Sequence, residues 1–140
     1  MVLTITEKGQ RALGMEERQS DGREGGVEHK YWREKAVERL LALGYQVERE
    51  KAIGGGKTVD LVAETEGERV AVEVETGNSD AWANIRKDLD SGFDRVVSVA
   101  LRDNLAEGLW AEVAALPPSE RGKVEIHDRR SLGNLGLNWR

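Results

Sequence analysis

Three acidic residues occur at spacings that would gather their carboxylates on one face of a β-hairpin. Asp60 lies in one apolar, β-rich segment, and Glu73 and Glu75 lie two residues apart in the next. Between the segments, Glu66-Gly67 predicts a tight turn, because glycine accepts positive φ. That turn places Asp60 opposite Glu73, and opposite residues of an antiparallel pair share a face. Glu75 follows on the same face, since side chains alternate along a strand.

Carboxylates placed this close repel one another, at a cost of about 0.2–1 kcal/mol for each like-charged cross-strand pair. A divalent cation removes that cost, and Mg²⁺ or Mn²⁺ prefers carboxylate and water oxygens. We therefore expect Asp60, Glu73 and Glu75 to bind Mg²⁺ or Mn²⁺. The alternative that the spacing leaves open is a hairpin whose acidic face is solvated.

The elements around the hairpin indicate how these side chains are held. A helix and a strand precede it, and two helices and two further strands follow it. This order predicts an α/β domain with a mixed β-sheet core flanked by helices on both faces. The predicted helices cover residues 27–43, 80–91 and 105–116, and the strands beside the hairpin cover residues 45–53, 93–101 and 123–127.

A helix, a strand and then a hairpin carrying Asp60 and Glu73-Val74-Glu75 resembles the PD-(D/E)xK nuclease superfamily, nearest its archaeal Holliday-junction resolvase branch. In that family an Asp ends a short strand, Glu-x-Lys follows on the next, and the first helix carries an acid. Asp60 matches the Asp and Glu73 the Glu, whereas Glu75 stands in the lysine position. The resemblance covers about residues 28–127. It implies a restriction-endonuclease-like fold, a Mg²⁺ or Mn²⁺ cofactor and hydrolysis of phosphodiester bonds in DNA.

The lysine that the strand lacks has a candidate replacement on the next helix. Some members of the superfamily supply this lysine from that helix. Asn84 and Lys87 are three residues apart, so they share a helix face and could both lean toward the end of the hairpin. Lys87 is therefore the predicted catalytic cation, and Lys57 is the second candidate for a phosphate contact. A solvated surface lysine is the alternative at both positions.

Two glutamates of the first helix are candidates for the helical acid that the resemblance implies. Glu34 lies six residues before a Leu-Leu pair, which is the spacing in the resolvases. Glu28 shares the apolar stripe of Trp32 by helical phase, so it faces the sheet more directly. The sequence leaves open which of them reaches the metal, and a solvated glutamate is the alternative for each. His29 is expected to be a surface or capping histidine, and His127 is a weaker ligand candidate.

Composition limits the protein class. A chain of 140 residues suits one domain of ordinary size. The absence of cysteine excludes disulfides and thiolate zinc sites. We find neither a long apolar run nor a signal-peptide pattern, so we expect a soluble, cytoplasmic protein that does not enter a membrane. Gly54-Gly55-Gly56 lacks the spacing of a P-loop, which argues against nucleoside triphosphate binding.

The net charge of −5 is concentrated in one segment. Residues 60–80 hold seven acids and one arginine, whereas residues 28–59 and 121–140 are each net positive. An acidic metal centre flanked by basic segments is compatible with phosphate binding.

The two ends of the chain are harder to assign. Residues 3–13 resemble the last strand and helix start of winged-helix domains, and residues 14–26 have the composition of a linker. Residues 1–26 are therefore predicted to be an N-terminal arm or linker, and residues 27–140 the nuclease-like domain. The apolar tail after Leu132 would dock on the domain or on a second subunit. A homodimer, a larger parent protein and an ATPase partner are left open.

The sequence thus predicts a metal-dependent endonuclease acting on DNA. A non-catalytic nucleic-acid-binding or assembly module is the alternative, because Glu75 replaces the lysine. An acidic protein-interaction domain without metal is a third possibility.

Overall fold

The computed structural model describes residues 26–137 and residue 139. Within that part of the chain the predicted arm contributes only Gly26, and the rest of residues 1–26 lies outside the described residues. The described residues form four α-helices, five strands and a short 3₁₀ helix: α1 (Gly26–Ala42), β1 (Gln46–Gly54), β2 (Lys57–Thr65), β3 (Glu68–Glu75), α2 (Ala81–Asp90), β4 (Arg95–Ala100), α3 (Asp103–Ala114), α4 (Pro118–Arg121), β5 (Val124–His127) and the 3₁₀ helix Leu132–Asn134. None of these helices is long and apolar enough to cross a membrane.

The strands form one mixed sheet in the order β1-β2-β3-β4-β5. The pairs β1–β2 and β2–β3 are antiparallel, whereas β4 lies parallel to both β3 and β5. The predicted α/β fold with a mixed sheet flanked by helices is therefore confirmed. The predicted hairpin register is confirmed where the two strands pair, since Thr65 pairs with Glu68 and Val62 with Ala71. The expected pairing of Asp60 with Glu73 is not formed, because the ladder ends one position earlier. Gly67 has φ of 87°, which explains the glycine at the turn.

Each face of the sheet is covered by its own apolar cluster. Leu40 of α1 and Leu135 near the C-terminus are fully buried against one face, which includes Leu61. Ile85 of α2 and Leu109 of α3 pack against the other face. Burying an aliphatic side chain of this size contributes about 1.5–3 kcal/mol, so both helical layers are firmly held.

One short helix differs from the prediction. The predicted helices do not include α4, which begins at Pro118 shortly after α3 ends at Ala114. Proline fits the first position of a helix, where its missing N–H is not needed.

The side chains of β2 stop alternating between the two faces of the sheet at Asp60. Val59 and Val62 both pack with α2 and α3, whereas Leu61 packs with α1. Val59 and Leu61, two positions apart, therefore lie on opposite faces, although a regular strand would place them on the same face. Glu50 of β1 lies between the Arg49–Leu61 and Lys51–Val59 pairs and has φ of 51°, so the backbone of both strands is irregular here. The ladder from β2 to β3 ends at Leu61–Val72, and the first half of β2 continues beside β1 alone.

Candidate functional site

A polar cavity of about 290 Å³ lies where β2 separates from β3. It brings together four of the residues that the sequence singled out, one from β2, two from β3 and one from α2. It also contains residues that were given lesser roles or none. The lining side chains include those of His29, Thr58, Asp60, Glu73, Glu75, Asn84 and Lys87.

Asp60 joins the separating strands through its side chain. Its Oδ2 accepts a hydrogen bond from the backbone N–H of Val74 at 2.8 Å. The same oxygen lies 3.1 Å from Nε2 of His29, which is 5% exposed. The Asp60 carboxylate therefore connects three elements. It lies on β2, accepts a hydrogen bond from the backbone of β3 close to the end of the β2–β3 ladder, and contacts His29 of α1.

Lys87 enters the cavity from α2. Its ammonium group donates to the carbonyl oxygen of Thr58 at 2.6 Å and lies 3.1 Å from Oε2 of Glu73. Burial acts to lower the pKa of Lys87, but the carboxylates of Glu73 and Asp88 outweigh it, so the pKa is raised. Lys87 is therefore a fixed cation between the start of β2 and the end of β3.

Asp88 is a buried acid that sequence reasoning missed. The side chain of Asp88 is fully buried. With Asp88 and Glu73 both ionised, neither oxygen of the Asp88 carboxylate has a hydrogen-bond partner among the described residues. Burial and the facing Asp88 carboxyl raise the pKa of Glu73, and burial raises that of Asp88. A proton shared by the two acids would supply the hydrogen bond that Asp88 lacks. The sequence signal was helical spacing, since Asp88 follows Ala81 and Ile85 on the buried face of α2.

Glu75 occupies the strand position at which the resembled family has lysine. It is 1% exposed, and its oxygens accept hydrogen bonds from the Ser79 hydroxyl at 3.2 Å and the Asn84 amide at 2.9 Å. Burial raises the pKa of Glu75, while the hydrogen bond from Asn84 opposes that rise. Glu75 is thus held in place by two neutral donors.

The structure does not bring the two helical glutamates to the cavity. Glu28 pairs with Arg102, whose two terminal nitrogens lie 2.9 and 3.0 Å from its oxygens. Glu34 pairs with Arg49 through two hydrogen bonds of 2.7 Å, which lower the pKa of Glu34 to about 2. Both acids already have strong partners at the sides of α1, and His29 occupies the helix position that faces Asp60.

Two further candidates also lie elsewhere. Lys57 is exposed at the start of β2 and does not line the cavity. His127 on β5 contacts Glu125 at 2.7 Å and the Ser131 hydroxyl at 2.9 Å, in a local network at the other end of the sheet order. These contacts indicate a structural role for His127.

The donor chemistry of the cavity fits a hard divalent cation. Asp60, Glu73 and Glu75 offer carboxylate oxygens, the ligand type that Mg²⁺ and Mn²⁺ prefer. Burial raises the pKa of both glutamates, as expected for acids that lack enough positive charge nearby. Across residues 26–137 and 139, however, no three Asp, Glu or His side chains are already arranged to hold an ion. In this conformation Lys87, His29 and Asn84 take up oxygens that a metal would share.

Comparison with known proteins indicates no family. No protein-family model matches the sequence, and no curated protein matches it significantly. The crystal structure of a protein of unknown function, AF1548, is similar over 70% of this chain, with 14% sequence identity and a TM-score of 0.47. The match covers 56% of that protein, so the chain spans little more than half of its length. The residues of the cavity are therefore the basis for assigning a function.

Proposed function

We propose that this protein is a Mg²⁺- or Mn²⁺-dependent endonuclease of PD-(D/E)xK type that hydrolyses phosphodiester bonds in DNA. The observation that supports it best is the position of Lys87. Its ammonium lies beside Glu73 in the cavity that Asp60 and Glu75 also line. A nuclease of this type needs carboxylates for a cation and one positive side chain beside them, and this cavity contains both.

Each side chain of the cavity would have a distinct role in the proposed reaction. Asp60 and Glu73 would hold the cation, and Glu75 would contribute a further carboxylate oxygen or accept a hydrogen bond from a water molecule in the cavity. His29 orients Asp60 through the contact at Oδ2. Lys87 binds the scissile phosphate or the attacking water and offsets the negative charge that develops in the transition state. A bound divalent cation would lower the pKa of a water molecule and polarise the phosphate.

A divalent cation could enter the cavity by displacing the ammonium group that now neutralises Glu73. Lys87 is held by contacts of its terminal ammonium, and a long lysine side chain can move that group to a phosphate oxygen. A cation would then replace Lys87 as the counter-charge of Glu73. Burial of the site strengthens these electrostatic interactions relative to water.

A plasmid-nicking assay tests the proposal. The wild type should convert supercoiled DNA to nicked or linear forms with Mn²⁺ or Mg²⁺ and not with EDTA. Asp60→Asn, purified in parallel, should be inactive, which also excludes a contaminating nuclease. Asparagine keeps an acceptor for the Val74 N–H, so the variant should fold. Cleavage that persists in Asp60→Asn would overturn the assignment.

One observation favours a second function, a non-catalytic nucleic-acid-binding or assembly module. Glu75 replaces the lysine of the Glu-x-Lys motif, and both of its oxygens are bonded within the protein. Titration calorimetry with Mn²⁺, combined with the nicking assay, separates the two. Binding of Mn²⁺ and DNA without any cleavage would support the module.

A further inference from the structure

A second and larger cavity opens beside the candidate site. It has a volume of about 800 Å³ and lies between the start of α2 and the exposed side of α3. That volume is within the roughly 300–1,000 Å³ typical of ligand pockets. Thr76, Asn78 and Ser79 line both cavities, and the Ser79 hydroxyl is bonded to Glu75. The two cavities therefore adjoin each other at this segment.

The lining of the larger cavity combines an aromatic ring with amides and apolar side chains. Trp82 is half-buried, since one part of it packs on the apolar cluster of α2 and α3 while it also lines the cavity. Leu105 and Leu109 contribute apolar surface, and Asn78 and Asn104 contribute amides. Asp80, Arg102 and Glu112 also line the cavity, and Arg102 is paired with Glu28. The ring and the amides suit a flat heterocycle with hydrogen-bonding edges.

Gly108 keeps this cavity open. It lies inside α3 and lines the cavity, and a Cβ built on it would meet no atom within 4 Å. Its φ is not in the left-handed region, so the backbone does not require glycine here. Glycine in a helix interior is less favourable than alanine. A side chain at this position would fit the protein but would take up space in the cavity.

We infer that the larger cavity binds an unpaired nucleobase of a DNA strand whose neighbouring phosphate lies at Lys87. This inference rests on the proposed nuclease function and names its substrate class. A base can enter the cavity and stack on Trp82 only if it has left the duplex stack. The preferred substrate is therefore single-stranded DNA, or DNA with an unpaired nucleotide beside the scissile bond.

Gly108→Leu tests the inference in the full-length protein, with Ala111→Leu as the matched control. Ala111 is exposed on the same helix and does not line the cavity, so both variants add a leucine side chain to α3. The probe is an oligodeoxythymidine of about eight nucleotides, added without metal so that binding is measured without cleavage. Melting temperatures of both variants at or above that of the wild type show that the fold is retained.

Gly108→Leu should weaken oligonucleotide binding on the order of tenfold or more, the scale of losing one stacked base, and Ala111→Leu should not. Oligonucleotide binding should quench the tryptophan fluorescence of the wild type, and Trp82→Phe should remove most of that quenching. Equal binding by Gly108→Leu and the wild type would overturn the inference, as would quenching that survives in Trp82→Phe.

Cleavage separates this inference from the function on which it rests. If the wild type nicks plasmid DNA with Mn²⁺ and Gly108→Leu retains full affinity for the oligonucleotide, the base pocket is wrong and the nuclease stands. If Gly108→Leu and Trp82→Phe behave as expected but no substrate is cut, the pocket is supported and the nuclease proposal fails.

Discussion

The ammonium group of Lys87 lies 3.1 Å from Oε2 of Glu73, although the two residues belong to different elements and are 14 positions apart. The helix that carries Lys87 starts at a defined point, because the Asp80 side chain accepts a hydrogen bond from the Ala83 N–H. Its position is further set by Ile85, which is fully buried against the sheet. A lysine on α2 can therefore supply the charge that Glu75 cannot supply from β3.

The first prediction concerns the activity and the stability of Lys87→Met. Loss of one transition-state charge contact should reduce Mn²⁺-dependent cleavage by a factor on the order of 10²–10³. The variant should also be less stable, by about 1–3 kcal/mol at neutral pH, since Glu73 and Asp88 lose their nearest cation. Nicking rates and urea unfolding measure the two effects.

Lys87→Arg is the control for this prediction. It retains the charge, so it should recover much of the stability and part of the activity. If Lys87→Met cuts as fast as the wild type, Lys87 is not the catalytic cation, and Lys57 cannot replace it because it does not line the cavity.

The second prediction compares the melting temperatures of Asp60→Ala and Asp60→Asn. Repulsion among carboxylates alone would predict that Asp60→Ala leaves the melting temperature unchanged or raises it. The structure changes that expectation, because Asp60 accepts the N–H of Val74. Alanine leaves that N–H without its acceptor, at a cost of about 1–3 kcal/mol. We expect Asp60→Asn to melt above Asp60→Ala, and both to be inactive. Equal melting temperatures would mean that the hydrogen bond does not stabilise the strand junction.

Local patterns predicted much of this fold. The turn at Glu66-Gly67 and the apolar alternation around it determine the register of the hairpin, and both are visible in the sequence. The place of Lys87 also followed from local rules, since helical phase and a short connection from β3 direct it to the end of the hairpin.

The part of the candidate site that α1 contributes could not be predicted, because it depends on contacts between residues far apart in the sequence. Whether an acid on α1 faces the metal depends on the rotation of the helix on the sheet, and that rotation presents His29 in place of Glu28 or Glu34. The partners Arg49 and Arg102 lie 15 and 74 positions from the glutamates they bind. Local spacing could not indicate such pairs.

His29 is predicted to act by positioning Asp60. Its buried ring contacts the oxygen that also accepts the Val74 N–H. Removing a group that orients a ligand typically costs ten- to hundredfold in metal affinity or activity. We expect His29→Ala to weaken Mn²⁺ binding by that factor in titration calorimetry. His29→Gln, which can still donate to Asp60, should restore part of it. Unchanged Mn²⁺ affinity in His29→Ala would rule out this role.

The last prediction concerns pH. Burial raises the pKa values of Glu73, Glu75 and Asp88 in the folded protein. At pH values above the ordinary carboxyl range of about 4, the folded state therefore binds more protons at these groups than the unfolded state does. Their contribution to stability is fully present below that range and is lost as the pH rises toward their raised pKa values.

Other acids act in the opposite direction but at lower pH. Arginine partners lower the pKa values of Glu28 and Glu34, so the stability that these ion pairs contribute is lost as the pH falls below about 4. Between pH 5 and pH 8 the buried acids of the cavity should dominate. Without metal, the melting temperature should fall across this window.

Glu75→Gln tests the origin of that fall. The glutamine oxygen can accept from Asn84 and its amide can donate to the Ser79 hydroxyl, so the variant should keep both contacts. Without the titrating carboxyl, its melting temperature should fall less between pH 5 and pH 8. Glu107→Gln, at an exposed position on α3, is the control, and its melting temperature should fall between pH 5 and pH 8 as much as that of the wild type.

Added Mn²⁺ should raise the melting temperature of the wild type most at pH 8, where binding to ionised carboxylates stabilises the folded state. A wild-type melting temperature that rises from pH 5 to pH 8 without metal would show that the cavity acids do not control stability.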